Sequence, residues 1–336
     1  MVRTIGKKEV EKAKAGAGGS EASETRLRRE RQQGRPGPDE QVPSRYALRV
    51  GDIDVMVISD GIIGVVSDGV IGLPAKMLGH NADPAVRAAW MKERFLSPDT
   101  FGWALNEVVV RSGGRTILID SGFGEEYPGV PKVGRWAKRL EAAGIDPAAV
   151  TDVVLTHLHM DHVGGLLVDG VKERLHKDLQ IHVAAAEAEF WEAPDFSHVY
   201  MPPGFPEALA RTGKRFLQAF RGQLRTFENE YEVAPGVLVQ RTGGHTPGHS
   251  VVRLASGGDR LMFAGDLVFQ VGFEHPDWYN GFEHDPEEAA RVRVCVLREL
   301  AANRESLVAT HLSFPSVCHV AVNGDVFRWV PGPWEY

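Results

Sequence analysis

The sequence predicts a layered α/β fold in which helices lie outside two sheets. Strand-like segments occur in hairpin groups, helical segments separate these groups, and the arrangement occurs twice along the 336 residues. With 43% hydrophobic and 25% charged residues, a chain of this length buries a core large enough to fold without disulfides or metals.

In the first half, residues 46–61 and 103–122 show the β-branched alternation and the Gly-containing turns of two hairpins. Residues 133–150 carry apolar side chains at helical spacing, and the predicted helix ends at Gly144. Residues 151–157 are apolar and predict a short buried strand.

The second half begins with a helix predicted for residues 206–224, followed by strands within 227–244 and 250–266 that each end in a Gly-rich turn. Residues 285–303 predict a helix with Asp285 at the N-cap and Pro at the first helical position. A last strand is predicted within residues 306–314, and ends at His311.

Residues 1–45 differ in composition from the rest of the chain. They carry eleven Lys and Arg against seven Asp and Glu, a net charge of +4, which leaves −11 for the remainder. With almost no large apolar residues, they predict a disordered or loosely helical arm, and residues 46–336 form the predicted folded domain. The arm is interpreted as a solvated tail or as a segment through which a second copy or a related subunit associates.

The acidic domain predicts a soluble protein that does not bind nucleic acid, because it repels phosphate backbones. Cys295 and Cys318 alone cannot form a disulfide framework or a Cys-rich zinc site. The sequence shows neither a secretory signal nor an uninterrupted apolar span, so we expect a cytoplasmic location and no membrane partner.

Residues 156–165, THLHMDHVGG, place four metal-binding side chains within six positions. His157 and His159 are two residues apart, just after an apolar strand, so both rings project to the same side and can reach one ion. Asp161 and His162 follow as the chain turns and point to a neighbouring position. The spacing suits two adjacent metal sites better than one.

Three more segments place metal-binding side chains after predicted strands, where rigid elements support functional loops. TGGHTPGHS contains His245, LMFAGDLVF contains Asp266, and LVATHLSFP contains His311. The sequence therefore predicts two metal ions that share the carboxylate of Asp266. The predicted ligands are His157, His159 and His245 for one ion, and Asp161, His162 and His311 for the other.

Nitrogen and oxygen donors of this kind suit Zn²⁺, or another first-row ion such as Fe, Mn or Co, rather than Ca²⁺ or Mg²⁺. A closed structural zinc site uses four ligands and leaves no vacancy, whereas seven ligands favour catalysis. A metal-binding scaffold without turnover is the alternative that is not an enzyme.

These motifs, with LIDSG upstream, resemble the metallo-β-lactamase superfamily over about residues 46–332. The resemblance implies an αββα sandwich of two mixed sheets flanked by helices, with a dinuclear site at the sheet edges. It also implies that Asp120 is a buried carboxylate that supports the metal-binding loop. His249 and His319 lie inside the matching segments and are predicted to orient ligands from behind.

Within the superfamily, ISDG, EAEFW, GDLV and HLSFPSVCHV look like segments of methyl parathion hydrolases. Quorum-quenching lactonases share the ligands but carry Tyr three residues after the bridging Asp, where this chain has Phe269. The flavodiiron branch has Glu where this chain has His159, which argues against that branch.

Two runs rich in aromatic residues, Pro and Gly, residues 187–205 and 269–282, flank the metal motifs. They predict loops that line a substrate pocket, although the same rings can instead fill core. The predicted substrate-binding residues are Trp191, Phe190, Phe269, Phe273, Trp278 and Tyr279, of which Trp191 also matches a pocket residue in the resemblance. Further rings in these runs are Phe196, Tyr200, Phe205 and Phe282.

The predicted function is hydrolysis of a neutral ester-type bond in an apolar or aromatic small molecule: an aryl ester, a phosphotriester or a lactone. A hydroxide that bridges two zinc ions is the expected nucleophile, because metals lower the pKa of bound water to about 7. Asp266 bridges the ions and Asp161 orients the nucleophile. Alternatives are cleavage of an activated aryl ether or aryl halide, and thioester hydrolysis of the glyoxalase II kind, which calls for a basic cluster absent near the C-terminal ligands.

Overall fold

The computed structural model describes residues 42–63, 73–124 and 133–334. The predicted arm, residues 1–45, lies outside the described residues except at its C-terminal end, where a compact unit begins at Ser44. The strands are β1 (Arg45–Val50), β2 (Ile53–Ile63), β3 (Leu73–Pro74), β4 (Thr100–Phe101), β5 (Trp103–Ser112), β6 (Arg115–Ile119), β7 (Asp152–Val154), β8 (Gln180–Ala184), β9 (Leu224–Phe227), β10 (Glu230–Ala234), β11 (Val237–Arg241), β12 (Ser250–Ser256), β13 (Asp259–Phe263), β14 (Ser306–Val308), β15 (Cys318–Asn323) and β16 (Val326–Pro331).

Helices connect and cover these strands. They are α1 (Pro84–Glu93), α2 (Trp136–Ala142), α3 (Met160–Val163), α4 (Ala185–Glu192), α5 (Phe205–Phe220), α6 (Val271–Glu274) and α7 (Pro286–Asn303). Single turns of 3-10 helix occur at Ala75–Met77, Pro147–Ala149, Gly164–Leu167 and Lys172–Arg174.

Two seven-stranded sheets form the body of the fold. The first has the order β1-β2-β5-β6-β7-β8-β9, antiparallel up to β6 and parallel from β6 to β9. The second has the order β10-β11-β12-β13-β14-β15-β16, in which only β13 and β14 are parallel. Both sheets are mixed, as predicted, and β3 and β4 pair separately.

The inner faces of the two sheets enclose one apolar cluster. Successive side chains of a strand point to opposite faces. In β5, therefore, Val108 joins the cluster between the sheets while Val109 faces outward. In β13, Phe263 faces inward and Met262 outward. Because both faces of each sheet are covered, these strands are nearly continuous runs of apolar residues.

Helices cover the outer faces. On the first sheet, α1, α2, α4 and α5 share a cluster that includes Trp136 and Phe216. On the second sheet, α7 packs through Leu297 in a cluster that also buries Cys318. The predicted αββα sandwich is confirmed.

Most predicted elements are confirmed, including both N-terminal hairpins and the helices that became α2, α5 and α7. The Asp285 carboxylate caps α7 by accepting a hydrogen bond from the Glu288 N–H at 2.9 Å. The prediction that residues 187–205 are loop is confirmed for 193–204 and was wrong at both ends, because α4 includes 187–192 and α5 begins at Phe205. In the second aromatic run, α6 forms a short helix where loop was predicted.

Among the residues that the structure describes, none of the helices is both long and apolar enough to cross a membrane.

The contact between α4 and α5 generates a test of the packing. An added Cβ on Gly213 in α5 would lie 2.3 Å from the ring of Trp191 in α4. We expect Gly213→Ala to lower the free energy of unfolding by about 1–2 kcal/mol, because overpacking outweighs the gain of ~0.5–1 kcal/mol in helix propensity. Chemical denaturation measures this, with Gly222→Ala as the control because nothing lies within 4 Å of its added carbon. A Gly213→Ala protein as stable as the parent would contradict the packing described here.

Candidate metal centre

The seven predicted ligands lie together at one edge of the sandwich, in segments that follow β7, β11, β13 and β14. They form two groups, and within each group the potential ligand atoms all lie within 4.8 Å of one another. Asp266 belongs to both groups. The other members are His157, His159 and His245 in the first group, and Asp161, His162 and His311 in the second.

In the first group, three ring nitrogens converge. His159 Nδ1 lies 2.9 Å from His157 Nε2 and 3.1 Å from His245 Nε2. Nitrogens bound to one tetrahedral zinc ion at about 2.0–2.1 Å lie ~3.3 Å apart, which is close to this spacing. Asp266 Oδ2 completes the group, 3.4 Å from His245 Nε2.

In the second group, two ring nitrogens and two carboxylates converge. Asp266 Oδ2 lies 3.0 Å from His311 Nε2, and Asp266 Oδ1 lies 3.2 Å from His162 Nε2. Asp161 Oδ2 lies 3.5 Å from His311 Nε2 and 3.7 Å from His162 Nε2. Each oxygen of Asp266 therefore faces a histidine of this group.

The opposite ring nitrogens fix which atom of each histidine faces inward. His162 Nδ1 lies 2.8 Å from Asp120 Oδ2, and His311 Nδ1 lies 2.9 Å from the carbonyl oxygen of Ala104. Because each Nδ1 must donate to an oxygen, each Nε2 is left as the metal-binding lone pair.

This donor set fits two divalent transition-metal ions. Among the described residues, His162 Nε2 and Asp266 Oδ1 are buried and neither forms a hydrogen bond of normal geometry, although they lie only 3.2 Å apart. Buried polar atoms without partners are rare, and two that face a common point suit an ion between them. Imidazole and carboxylate donors are typical of Zn²⁺ and similar ions.

Electrostatics keep the first group neutral. Burial, and then the neighbouring histidines, lower the pKa of His157 and His159 well below the usual range. Burial likewise lowers the pKa of His245, against the attraction of the Asp266 carboxylate. Neutral imidazole is the form that binds a metal ion.

The second group has the opposite balance. Burial opposes charge on His162, but the carboxylates of Asp266 and Asp120 raise its pKa well above the usual range. Burial raises the pKa of Asp266, yet His311 and His162 hold it well below its ordinary value. The carboxylates here compensate positive charge, which is the condition for holding a cation in a buried site.

Asp120 and His249, the two residues predicted to orient ligands from behind, both contact ligand-bearing segments. Asp120 accepts hydrogen bonds from Thr156 N–H at 2.9 Å and from Thr156 Oγ1 at 2.8 Å, besides its contact with His162. His249 Nε2 accepts a hydrogen bond from the Asp266 N–H at 3.2 Å, and burial lowers its pKa to about 4. Both side chains tie a ligand-bearing segment to the sheet behind it.

His319 does not have the predicted role. It is exposed on β15, where its backbone pairs with Ser306 at the start of β14, whereas His311 follows the end of β14. It lines a cleft of about 820 Å³ together with residues such as Arg260 and Arg304. Because β15 runs antiparallel to β14, His319 lies at the end of the strands opposite to the ligands.

Three buried polar residues near the ligands were missed in the sequence, and two of them, Asn106 and Glu187, form hydrogen bonds with ligand-bearing segments. Asn106 in β5 donates its Nδ2 to the carbonyl oxygens of Thr310 at 2.9 Å and Leu312 at 2.6 Å, on both sides of His311. Its neighbour Glu107 is buried, and burial raises its pKa well above the usual range. The third is Glu187 in α4. A polar pair within an apolar strand was the available signal for Asn106 and Glu107.

Aromatic rings surround both groups. Phe269 stacks on His311 with ring centroids 5.3 Å apart, and Trp103 stacks on His311 at 4.8 Å. Beside His159 lie Trp191, Phe282 and His284, with centroids at 5.8, 6.2 and 5.7 Å. Trp103 and His284 were not predicted as parts of the site.

The half-buried wall beyond the first group is made by Phe190 and Phe196, which contact the His284 ring at 4.9 and 5.6 Å. Trp191 lies beneath this wall: it is fully buried, and its Nε1 donates a hydrogen bond to Glu187 at 2.8 Å. The ring of Trp191 is thus part of the frame behind His159.

Two of the predicted substrate-binding residues, Phe273 and Trp278, are buried in core clusters, and Tyr279 is not among the core residues. Phe273 is buried in the cluster beneath α7, because α6 turns it away from Phe269 and toward the outer core. Trp278 is buried and stacks on His275 at 3.9 Å. Tyr279 is half-buried against His80 at 5.9 Å. For Phe273 and Trp278, the core-filling interpretation is the better one.

The shared carboxylate predicts how substitutions distribute between the ions. We expect Asp266→Ala to weaken binding of both ions by at least ~10-fold, because its oxygens face both groups. His159→Ala should weaken binding of only one ion, the one held by the first group. Calorimetric titration of metal-free protein, with metal content checked by mass spectrometry, measures both affinities. An Asp266→Ala protein that retains two ions at parental affinity would refute the sharing.

Residues 104–311 match the metallo-beta-lactamase superfamily. An N-acyl homoserine lactonase from Bacillus sp. is 25% identical over 55% of this chain, and the match spans 64% of that relative's length. Among solved structures, AidC, a dizinc quorum-quenching lactonase in complex with a product, is 23% identical, with a TM-score of 0.77 over 87% of this chain and 99% of its own.

The hydrolase AbOPH, described as a member of the beta lactamase superfamily, is 25% identical, with a TM-score of 0.77 over 88% of this chain and 100% of its own. The family match covers more than half of the sequence and contains all seven ligands, and the fold agrees with both solved structures. The chain belongs to the metallo-beta-lactamase superfamily.

Proposed function

We propose that the protein is a dinuclear zinc hydrolase that cleaves a neutral ester-type bond, in a lactone, an aryl ester or a phosphotriester. One observation carries the proposal: seven side chains form two groups of donors joined by Asp266. Two zinc ions held in this way would polarise the bond under attack and lower the pKa of a water molecule.

The chain's own carboxylates position the reaction. The Asp161 side chain is 13% exposed, compared with 4% for Asp266 and 1% for His311. It is therefore the ligand most accessible to a substrate or to an attacking water, and its carboxylate would accept a hydrogen bond from that water. Asp266, buried beneath it, sets the distance between the two groups.

The surroundings favour an uncharged substrate. In the described part of the chain, the strongest electrostatic influences on the ligand side chains come from other His and Asp residues and not from Lys or Arg. Half-buried Phe190 and Phe196 offer apolar contact beside the first group. An anionic thioester conjugate needs a basic cluster, so it ranks below a neutral ester.

The relatives support the ester-type bond and leave two substrate classes in competition. The curated relative is named an N-acyl homoserine lactonase, which favours a lactone. Against this, Phe269 stacks on His311 where a hydroxyl-bearing side chain is expected for quorum-quenching lactonases. A substrate with a good leaving group, such as an aryl ester or phosphotriester, does not depend on that hydroxyl.

A rate panel on zinc-reconstituted protein tests the proposal. We expect kcat/KM for a p-nitrophenyl ester, a dialkyl aryl phosphotriester or an acyl-homoserine lactone to exceed that for S-lactoylglutathione by at least ~10-fold. Product formation followed by absorbance or by pH indicator measures each rate. The Asp266→Ala protein is the control and should lose the activity.

Turnover that persists in the Asp266→Ala protein would place the reaction elsewhere. Absence of turnover for all four substrates with two zinc ions bound would reject the ester class and favour an activated aryl ether or aryl halide. Preference for S-lactoylglutathione would contradict the conclusion that the site favours an uncharged substrate.

The aromatic wall gives a separate prediction. We expect Phe190→Ala to raise KM for aryl substrates by about 3–10-fold with little change in kcat, because an aromatic contact contributes ~0.5–1.5 kcal/mol. Tyr231→Ala, which removes a ring stacked on His182 outside the site, is the matched control. Equal KM values for Phe190→Ala and the parent would show that Phe190 does not contact the substrate.

A further inference from the structure

Glu187 is a buried carboxylate between two ligand-bearing segments. It lies in the first turn of α4, directly after β8, and β8 is the neighbour of the strand that leads to His157. The side chain is completely buried. Other glutamates of the same helix, Glu189 and Glu192, are exposed.

Each oxygen of Glu187 accepts two hydrogen bonds. Oε1 accepts from the Leu158 N–H at 2.9 Å and from Trp191 Nε1 at 2.8 Å. Oε2 accepts from Thr246 Oγ1 at 2.6 Å and from the Gly248 N–H at 2.9 Å. Four donors satisfy the carboxylate without a cation, as buried charged groups require.

The partners of Glu187 belong to the first group of ligands. Leu158 lies between His157 and His159, and Thr246 follows His245 directly. The two segments are far apart in sequence, and Glu187 joins them because each of its oxygens holds one of them. No comparable contact from Glu187 reaches the described residues next to Asp161 or His311.

A close backbone approach keeps this geometry. A Cβ on Gly248 would lie 2.3 Å from the Glu187 N atom and 2.4 Å from its Cβ. Only glycine lets the segment after His245 approach α4 closely enough for the Gly248 N–H to reach Oε2.

We propose that Glu187 is the positioning residue of the first metal site, and that it sets the affinity for this ion by holding the His157–His159 and His245 segments at a fixed separation. The inference rests on the proposed dinuclear centre but not on any particular substrate. It assigns Glu187 no contact with the ion itself. The effect of Glu187 on metal affinity is confined to the first of the two sites.

The test is the zinc affinity of full-length Glu187→Gln, measured by calorimetric titration of metal-free protein. The amide keeps the size of the side chain, but its NH₂ group replaces one of the two oxygens. The two donors that face this group then lose their hydrogen-bond acceptor. We expect affinity for one ion to fall by about 10–100-fold, as for other side chains that orient ligands, with the other affinity within ~3-fold of the parent. Cobalt substitution gives an absorption spectrum as an independent readout of the altered site.

A mutant cycle identifies which site is affected. In a His159→Ala background, the first site is already impaired, and Glu187→Gln should add less than ~3-fold. In a His311→Ala background, it should retain its full effect. Thr246→Val, which removes only the hydroxyl donor, should cause a smaller loss at the same site and covers the case in which Glu187→Gln folds poorly.

Asp152→Asn is the matched control. This carboxylate is equally buried and is bonded to His182 and Thr151, but it lies at the start of β7, at the other end from the ligands. It should lower Tm and leave both zinc affinities unchanged. Parental zinc affinities in both Glu187→Gln and Thr246→Val, or equal losses at the two sites, would overturn the proposal. Absence of hydrolysis in the parent with normal zinc binding would count against the proposed function alone.

Discussion

The arrangement of the site depends on the carboxylate of Asp266. It lies on the loop after β13, and its two oxygens face His162 and His311 at 3.2 and 3.0 Å while it also closes the group that contains His245. A buried carboxylate is stable only with compensating charge or donors. The surrounding imidazoles provide these contacts, and one shared anion therefore determines that the two groups of ligands are adjacent.

The frame around this anion is built from both sheets. Asn106 of the first sheet holds the backbone on both sides of His311, which follows strand β14 of the second sheet. Asp120 holds His162, and Glu187 joins the segments that carry the remaining histidines. Each of these buried side chains forms hydrogen bonds with a ligand-bearing segment. These hydrogen bonds hold the ligand side chains close together although their lone pairs and like charges repel one another.

Much of this could be predicted from sequence because the information is local. The spacing of His157, His159 and His162 determines which side of the chain each ring projects to. His245, Asp266 and His311 each follow an apolar strand. Alternating or continuous apolar runs predicted the two sheets, since periodicity depends on neighbours in sequence. The loop assignment of the first aromatic run failed only at its ends, because its Pro residues and Gly204 lie between two helices and do not mark where those helices end and begin.

What could not be predicted depends on distant contacts. Glu187, Glu189 and Glu192 look alike in sequence, and only the fold buries the first. The antiparallel direction of β15 relative to β14 places His319 at the end of the sheet opposite to the ligands. Phe269, which precedes α6, stacks on His311, whereas Phe273, four positions later within α6, fills the outer core.

Anomalous diffraction at the zinc absorption edge, on crystals of zinc-reconstituted protein, tests the central claim most directly. The account predicts two peaks about 3.5–4 Å apart, one against His157, His159 and His245 and the other against His162 and His311, with Asp266 contacting both. A single peak, or two peaks that do not share Asp266, would contradict it.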